Sequence, residues 1–137
     1  MAIAHDTEAK QLFWASVDAR AMQLPYCTAC NTFFFYPRPI CPACWSSEVE
    51  FRPAAGTGRI FTYSVVRSPH GNVTGWHDRI PYVVALIDLD EGVRMMSNII
   101  DCDVDAVRSG MPVQLTYTEI DGRVLPVYRL AGRDRPS

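Results

Sequence analysis

The run Cys27-Thr28-Ala29-Cys30-Asn31-Thr32-Phe33-Phe34-Phe35-Tyr36-Pro37-Arg38-Pro39-Ile40-Cys41-Pro42-Ala43-Cys44 sets two C-x-x-C pairs ten residues apart. A C-x-x-C turn lets two thiolates converge on one ion, and two such turns joined by a hairpin complete a tetrahedron. The gap is short but long enough for one tight hairpin, and Pro37, Pro39 and Pro42 stiffen the approach to the second turn. Disulfides are disfavoured, because the N-terminal residues lack the basic and apolar regions of a secretion signal and a cytoplasmic location is expected. A thioredoxin-type pair would open a helix in a βαβ unit, a setting that Pro42 and Trp45 do not provide. Cys27, Cys30, Cys41 and Cys44 are therefore read as a closed metal site with a structural role. Zinc is the default ion, and the ligands alone also admit iron in a rubredoxin-like geometry.

Working outward, residues Thr7 to Leu24 carry Ala9, Leu12, Phe13, Val17, Ala21 and Leu24 at three- and four-residue steps, which predicts an amphipathic helix. Asp6 or Thr7 is the candidate N-cap. Phe13 and Trp14 either pack on the ribbon or anchor a partner. Downstream, Arg52 to Gly58 is a Pro/Gly/Ala-rich connector. Five strands are predicted after it, over 59–67, 82–89, 93–100, 113–120 and 124–130. Asp121-Gly122 is a two-residue hairpin turn, and Pro126 places part of the last strand at an edge or bulge. A short helix is expected over 103–109, capped by Asp103 and ended by Gly110. Three strands, a short helix and two strands is the order of an OB-fold barrel. The expected architecture is mainly β: a helix in residues 1–24, a zinc ribbon in 25–52 and an OB-fold in 53–137.

The chain has 137 residues, 48% hydrophobic and 20% charged, with a net charge of −2. This composition excludes a disordered chain, and no apolar run approaches the roughly 18 residues of a membrane span. Arginine supplies 12 of the 13 basic residues, scattered through the sequence without a basic stripe. That weighs against the alternative function, a single-stranded nucleic-acid-binding OB-fold, which needs a positive groove beside its aromatics. The long segment 68–81 holds His70, Trp76, His77 and Arg79; loops of this length are functional or disordered, its histidines read as solvated or functional, and Trp76 points to binding. Cys102 ends an apolar stretch without a motif for an activating base, so it reads as an inert core thiol. A self-sufficient enzyme built on His70, His77 or Cys102 would need a convergence that spacing does not supply.

Taken in order, these motifs resemble a known family. Phe13-Trp14 precedes Cys27-x-x-Cys30 and Pro37-Arg38-x-x-Cys41-Pro42-x-Cys44. Then follow Gly56-x-Gly58, the run from Pro81 to Ile87 with Asp90-Glu91-Gly92, and Gly110-Met111-Pro112-Val113. From about Phe13 to Arg129 the sequence is similar to the domain of unknown function 35 family, a rubredoxin-like zinc ribbon fused to an OB-fold. The resemblance implies a non-catalytic accessory subunit of a thiolase-superfamily enzyme, an aldolase or an acyltransferase, in acyl-CoA metabolism. Relatives partner enzymes that shorten steroid side chains held as CoA thioesters, and the aldolase branch is favoured. It also implies a hetero-oligomer in which the partner carries the catalytic residues. Arg38, Arg67 and Arg79 are candidate CoA phosphate contacts, with His70, Trp76 and His77 as candidates for the substrate channel. Phe13 and Trp14 are candidates for the partner interface.

Overall fold

The computed structural model describes residues 6–68 and 79–131. His70, Trp76 and His77 lie outside the described residues. The described chain forms two compact units, one of residues 6–55 with 91–93 and one of the remainder. No helix among the described residues is long and apolar enough to cross a membrane.

The first unit opens with helix α1 (Asp6–Asp18), shorter than the expected 7–24. Ala9, Phe13 and Val17, four residues apart, are buried to 1% exposure or less, whereas Leu12 is 44% exposed and lies off that stripe. The helix starts at Asp6, so the expected caps Asp6 and Thr7 lie within its first turn. Its end is a Schellman motif: the Ala21 N–H donates to the Ser16 carbonyl at 2.9 Å and the Arg20 N–H to the Val17 carbonyl at 2.8 Å. Arg20 takes the left-handed conformation (φ 57) that glycine usually fills there, so the sequence hid this stop. The chain then turns into strand β1 (Gln23–Cys27), and Leu24 is buried from a strand, not from the helix. Strands β2 (Thr32–Phe33) and β3 (Val49–Pro53) flank β1 in the order β2-β1-β3, all antiparallel.

The second unit is a closed barrel of β4 (Thr57–Val66), β5 (Tyr82–Leu89), β6 (Arg94–Ile99), β7 (Pro112–Ile120) and β8 (Arg123–Leu130). Its strand order, β4-β5-β6-β8-β7 with β4 pairing β7, is that of an OB-fold. Strict alternation along β5 turns Val83, Ala85, Ile87 and Leu89 inward, and Ile60, Met95, Ile99, Val113, Val127 and Tyr128 of the other strands are buried as well. Asp121 and Gly122 both have positive φ (52 and 76), which closes the β7–β8 hairpin with the expected tight turn.

The structure sharpens two expectations about the barrel and corrects one detail, the role of Gly110. The helix over 103–109 is one 3₁₀ turn, Val104–Ala106, capped as expected by the Asp103 side chain accepting from the Asp105 N–H. Val107 ends it in extended conformation, so Gly110 is not its C′ residue; it turns the chain separately at φ 89. Pro126 sits inside β8, opposite Tyr117 of β7 and without a bulge, and its other side has no strand partner, the local edge expected for it. Its carbonyl accepts from Ser97 Oγ at 2.8 Å, so this residue's backbone faces β6. There β6 and β8 share a single registered pair, Ile99 and Tyr128, and a missing N–H interrupts no ladder.

Candidate metal centre

The four knuckle sulfurs are gathered by local hydrogen bonding of the protein itself. Strand β1 delivers Cys27 at its end, and the turn to β2 brings Cys30 back. The second knuckle is tied by the Trp45 N–H donating to the Cys41 carbonyl at 2.8 Å and the Cys41 N–H donating to the Ser46 carbonyl at 2.9 Å. Backbone N–H groups also point at sulfur, the Ala43 N–H lying 3.4 Å from Cys41 Sγ. Cys27 and Cys44 Sγ are 3.5 Å apart, Cys30 and Cys41 Sγ 3.7 Å, and all four lie within 4.8 Å of one another. Sulfurs on a tetrahedral zinc with bonds of about 2.3 Å would be about 3.8 Å apart, so the cluster fits such an ion.

Electrostatics within the cluster favour a cation. Burial raises the Cys27 thiol, but the Cys30 N–H, the Cys44 thiol and the Ala29 N–H outweigh it and bring it down to about 7. At Cys44 the Ser46 N–H lowers the thiol, and the neighbouring Cys27, burial, and then Cys30 and Cys41 overcome it and push it up to about 12. One thiolate thus suppresses the next, until a cation neutralises the set. The sulfurs rest on an apolar bed: Cys27 and Cys41 pack with Ala9 of α1, Phe34 and Val49, with Cys30 and Phe51 against them.

Of the other residues singled out in the sequence, Phe13 is a correction. At 1% exposure its ring sits edge-on to Phe35 (5.4 Å) and Trp14 (5.2 Å), committed to its own unit and unavailable to a partner. Trp14 is half-buried beside it, and Arg38 is exposed in the ribbon. Arg67 donates to Asp105 Oδ1 at 2.9 Å on the barrel surface. Arg79 lines a 180 Å³ cleft with Tyr82, Ile99, Ile100, Asp101 and Cys102. Burial, then the charges of Asp103 and Asp101, push the Cys102 thiol up, so it stays protonated at neutral pH.

Two features escaped the sequence reading. Trp45, which enters the sequence argument only as evidence against a thioredoxin-type pair, is 80% exposed on its knuckle turn. On the barrel, Arg94 grips Asp88 through Nε (2.6 Å) and Nη2 (3.2 Å) and lies 3.5 Å over the Phe61 ring. The two charged residues are cross-strand partners flanking the Asp90–Gly92 turn, so the hairpin register would have found them.

Comparison with known proteins matches residues 24–50 to the ChsH2 rubredoxin-like zinc ribbon domain and residues 51–118 to the ChsH2 C-terminal OB-fold domain. A DUF35 domain-containing scaffold protein of Methanothermobacter thermautotrophicus is 38% identical over 95 residues, 69% of each chain. A probable enoyl-CoA hydratase alpha subunit of Thermomonospora curvata is 37% identical over 121 residues. That match takes in 87% of this chain, which spans only 37% of the hydratase subunit's length. Among solved structures, the Ltp2-ChsH2(DUF35) aldolase superposes with a TM-score of 0.80 at 35% identity, covering 96% of this chain and 98% of that one.

Proposed function

Because this chain belongs to the DUF35 family of ChsH2-type zinc ribbons joined to OB-folds, we propose that it is a non-catalytic scaffold subunit of a thiolase-superfamily enzyme acting on acyl-CoA thioesters. The observation that carries this reading is the match, over nearly all of both chains, to the Ltp2-ChsH2(DUF35) aldolase. That the neighbour is an aldolase supports carbon–carbon cleavage over acyl transfer, and a lipid or steroid side chain is the substrate we assign to it. Zinc is the ion we assign to Cys27, Cys30, Cys41 and Cys44. Bound there, it neutralises the thiolates and staples the two knuckles, and four protein ligands leave it no position for substrate.

Exposed side chains support a partner-facing role for the first unit. Leu12 (44%), Tyr36 (41%), Ile40 (43%) and Trp45 (80%) all leave apolar surface uncovered. Trp45 does so from a left-handed backbone (φ 67), which costs a bulky residue conformational energy that its fold does not return. Trp14 is assigned to the rim of the same interface. Arg38, Arg67 and Arg79 are assigned to the phosphates of CoA, whose oxygens match the guanidinium fork, and His70, Trp76 and His77 to the passage for the thioester arm. Co-expression with a thiolase-superfamily subunit tests the reading. Co-elution, with retro-aldol cleavage of an acyl-CoA by the pair alone, is expected. A partner that is soluble and fully active without this chain overturns it.

A further inference from the structure

The four sulfurs of the metal centre are not equally open to water. Cys27 ends β1, paired with Thr32 on one side and Val49 on the other, and is fully buried. Cys41 is buried as deeply, Cys30 is half-buried and Cys44 is exposed. The second knuckle belongs to no strand, and it ends at solvent: Trp45, next after Cys44, is 80% exposed. The two sulfur–sulfur contacts with hydrogen-bond geometry both cross from one knuckle to the other, Cys44 to Cys27 at 3.5 Å and Cys30 to Cys41 at 3.7 Å. Each crossing pair therefore couples a sulfur that solvent reaches to one that it does not.

That coupling divides disulfide formation between two partners. An oxidant has to reach one thiolate, and a second thiolate has to reach the sulfur so oxidised. Cys44 meets the first requirement. Cys27, closed to solvent but in contact with Cys44, meets only the second. Cys30 and Cys41 repeat the division less openly. Bound zinc holds all four sulfurs as thiolates, the reactive form, at neutral pH. A bond within either C-x-x-C turn would leave the two knuckles unconnected once the ion is gone, whereas crossing bonds keep them joined.

We infer that Cys44 is an oxidation site for hydroperoxides and that Cys27 resolves it, exchanging the ion for a disulfide that crosses between the knuckles. The Cys44 thiolate attacks one oxygen of hydrogen peroxide; the O–O bond breaks, hydroxide leaves and the sulfur becomes a sulfenic acid. The Cys27 thiolate then attacks that sulfur, the S–O bond breaks, and a second hydroxide leaves as the Cys27–Cys44 bond forms. Two thiolates lose two electrons and the peroxide gains them. Cys30 and Cys41 alone cannot close a four-ligand site, so the ion departs, and a second peroxide joins them in the same way. The reaction is tested on this chain alone, so its failure leaves the partner reading standing, and the reverse holds. The full zinc-loaded chain is treated stepwise with hydrogen peroxide, and released zinc is read with a colorimetric chelator. Remaining thiols are alkylated after denaturation, and disulfides are mapped by mass spectrometry without reduction. One zinc lost per chain is expected, with the Cys27–Cys44 linkage appearing before Cys30–Cys41. Dimedone present with limiting peroxide should label Cys44 ahead of the other three ligands. Cys102, half-buried away from the cluster, should remain a free thiol, and Cys102→Ser should leave zinc release unchanged. Dithiothreitol followed by zinc should restore the loaded protein. Linkages within the knuckles, first labelling at another cysteine, zinc retained in excess peroxide, or a chain that cannot be reloaded overturns the inference.

Discussion

Asn31 and Trp45 occupy equivalent places, each following the second cysteine of its knuckle, and both are left-handed, at φ 56 and φ 67. Asparagine tolerates this conformation and tryptophan does not, so the two knuckles share a backbone but not its conformational cost. Trp45→Gly should therefore leave the metal-loaded protein as stable or more stable by about 1 kcal/mol. Asn31→Gly should change stability by only a few tenths. Denaturant unfolding of both variants measures this. If the exposed indole is an interface anchor, the same Trp45→Gly should weaken capture of the thiolase-superfamily partner by about 2 kcal/mol or more, the scale of an interface hot spot. A glycine variant that is both less stable and equally well captured would refute both halves of the argument.

Metal removal should separate the two units. The ribbon sheet has a two-residue strand and counts Cys27 and Cys41 among its own buried residues, whereas the barrel's twelve buried hydrophobic residues include no candidate metal ligand. Apparent zinc binding energies of about 10–16 kcal/mol in small fingers rival the whole stability of a domain. A strong chelator should thus collapse the amide resonances of β1–β3 and α1 while those of β4–β8 persist. Elemental analysis should find one zinc per chain, lost in Cys41→Ser. Iron in its place would correct the ion and leave the architecture untouched.

Asp88 supplies a pH prediction. Its hydrogen bonds from Arg94 hold its carboxyl below the usual aspartate range, against the opposing effect of burial. A carboxylate depressed by folding contributes stability that is present above its unfolded value. That stability is lost as pH falls through its lower folded value. The contribution should accordingly vanish only on the acid side of the ordinary aspartate midpoint. Both side chains are about half exposed (47% each), so added salt should shrink the effect. Carbon-detected titration should place Asp88 below the ordinary aspartate range, and Arg94→Ala should return it to that range. An unchanged midpoint in that variant would remove Arg94 as the cause.

What the sequence revealed, and what it hid, follows from the range of each interaction. The cysteines carried their spacing in four positions, and β5 carried its inward set in the alternation of Val83, Ala85, Ile87 and Leu89, so ribbon and barrel were both legible. The end of α1 was not, because Arg20 does at φ 57 what sequence rules assign to glycine. Pro126 marks the unladdered side of β8, but which neighbour that side faces only the closed topology decides. The Arg94–Phe61 contact needed the β-bulge between Ile60 and Thr62, which the apolar pattern Ile60-Phe61-Thr62-Tyr63 does not mark.

Gly58 is the place where sequence and topology meet most tightly. It belongs to the Gly56-x-Gly58 signature, and its backbone is not in the left-handed region, so conformational freedom does not explain it. Proximity does. A Cβ built there would stand 2.6 Å from the Asp88 carbonyl oxygen, 3.1 Å from Ile87 Cγ2 and 3.2 Å from Leu89 Cα. Two of those three atoms are backbone of the paired strand, in register at Gly58–Leu89, so relief requires β4 and β5 to part. Gly58→Ala should cost about 1–3 kcal/mol by overpacking, and more if the strand pair cannot shift. The measurement is thermal unfolding of the barrel resonances, with Gly92→Ala as the comparison: there nothing lies within 4 Å and the penalty comes from φ 90 alone. If Gly58→Ala proves harmless, the close approach of β4 to β5 is not what fixes glycine at this position.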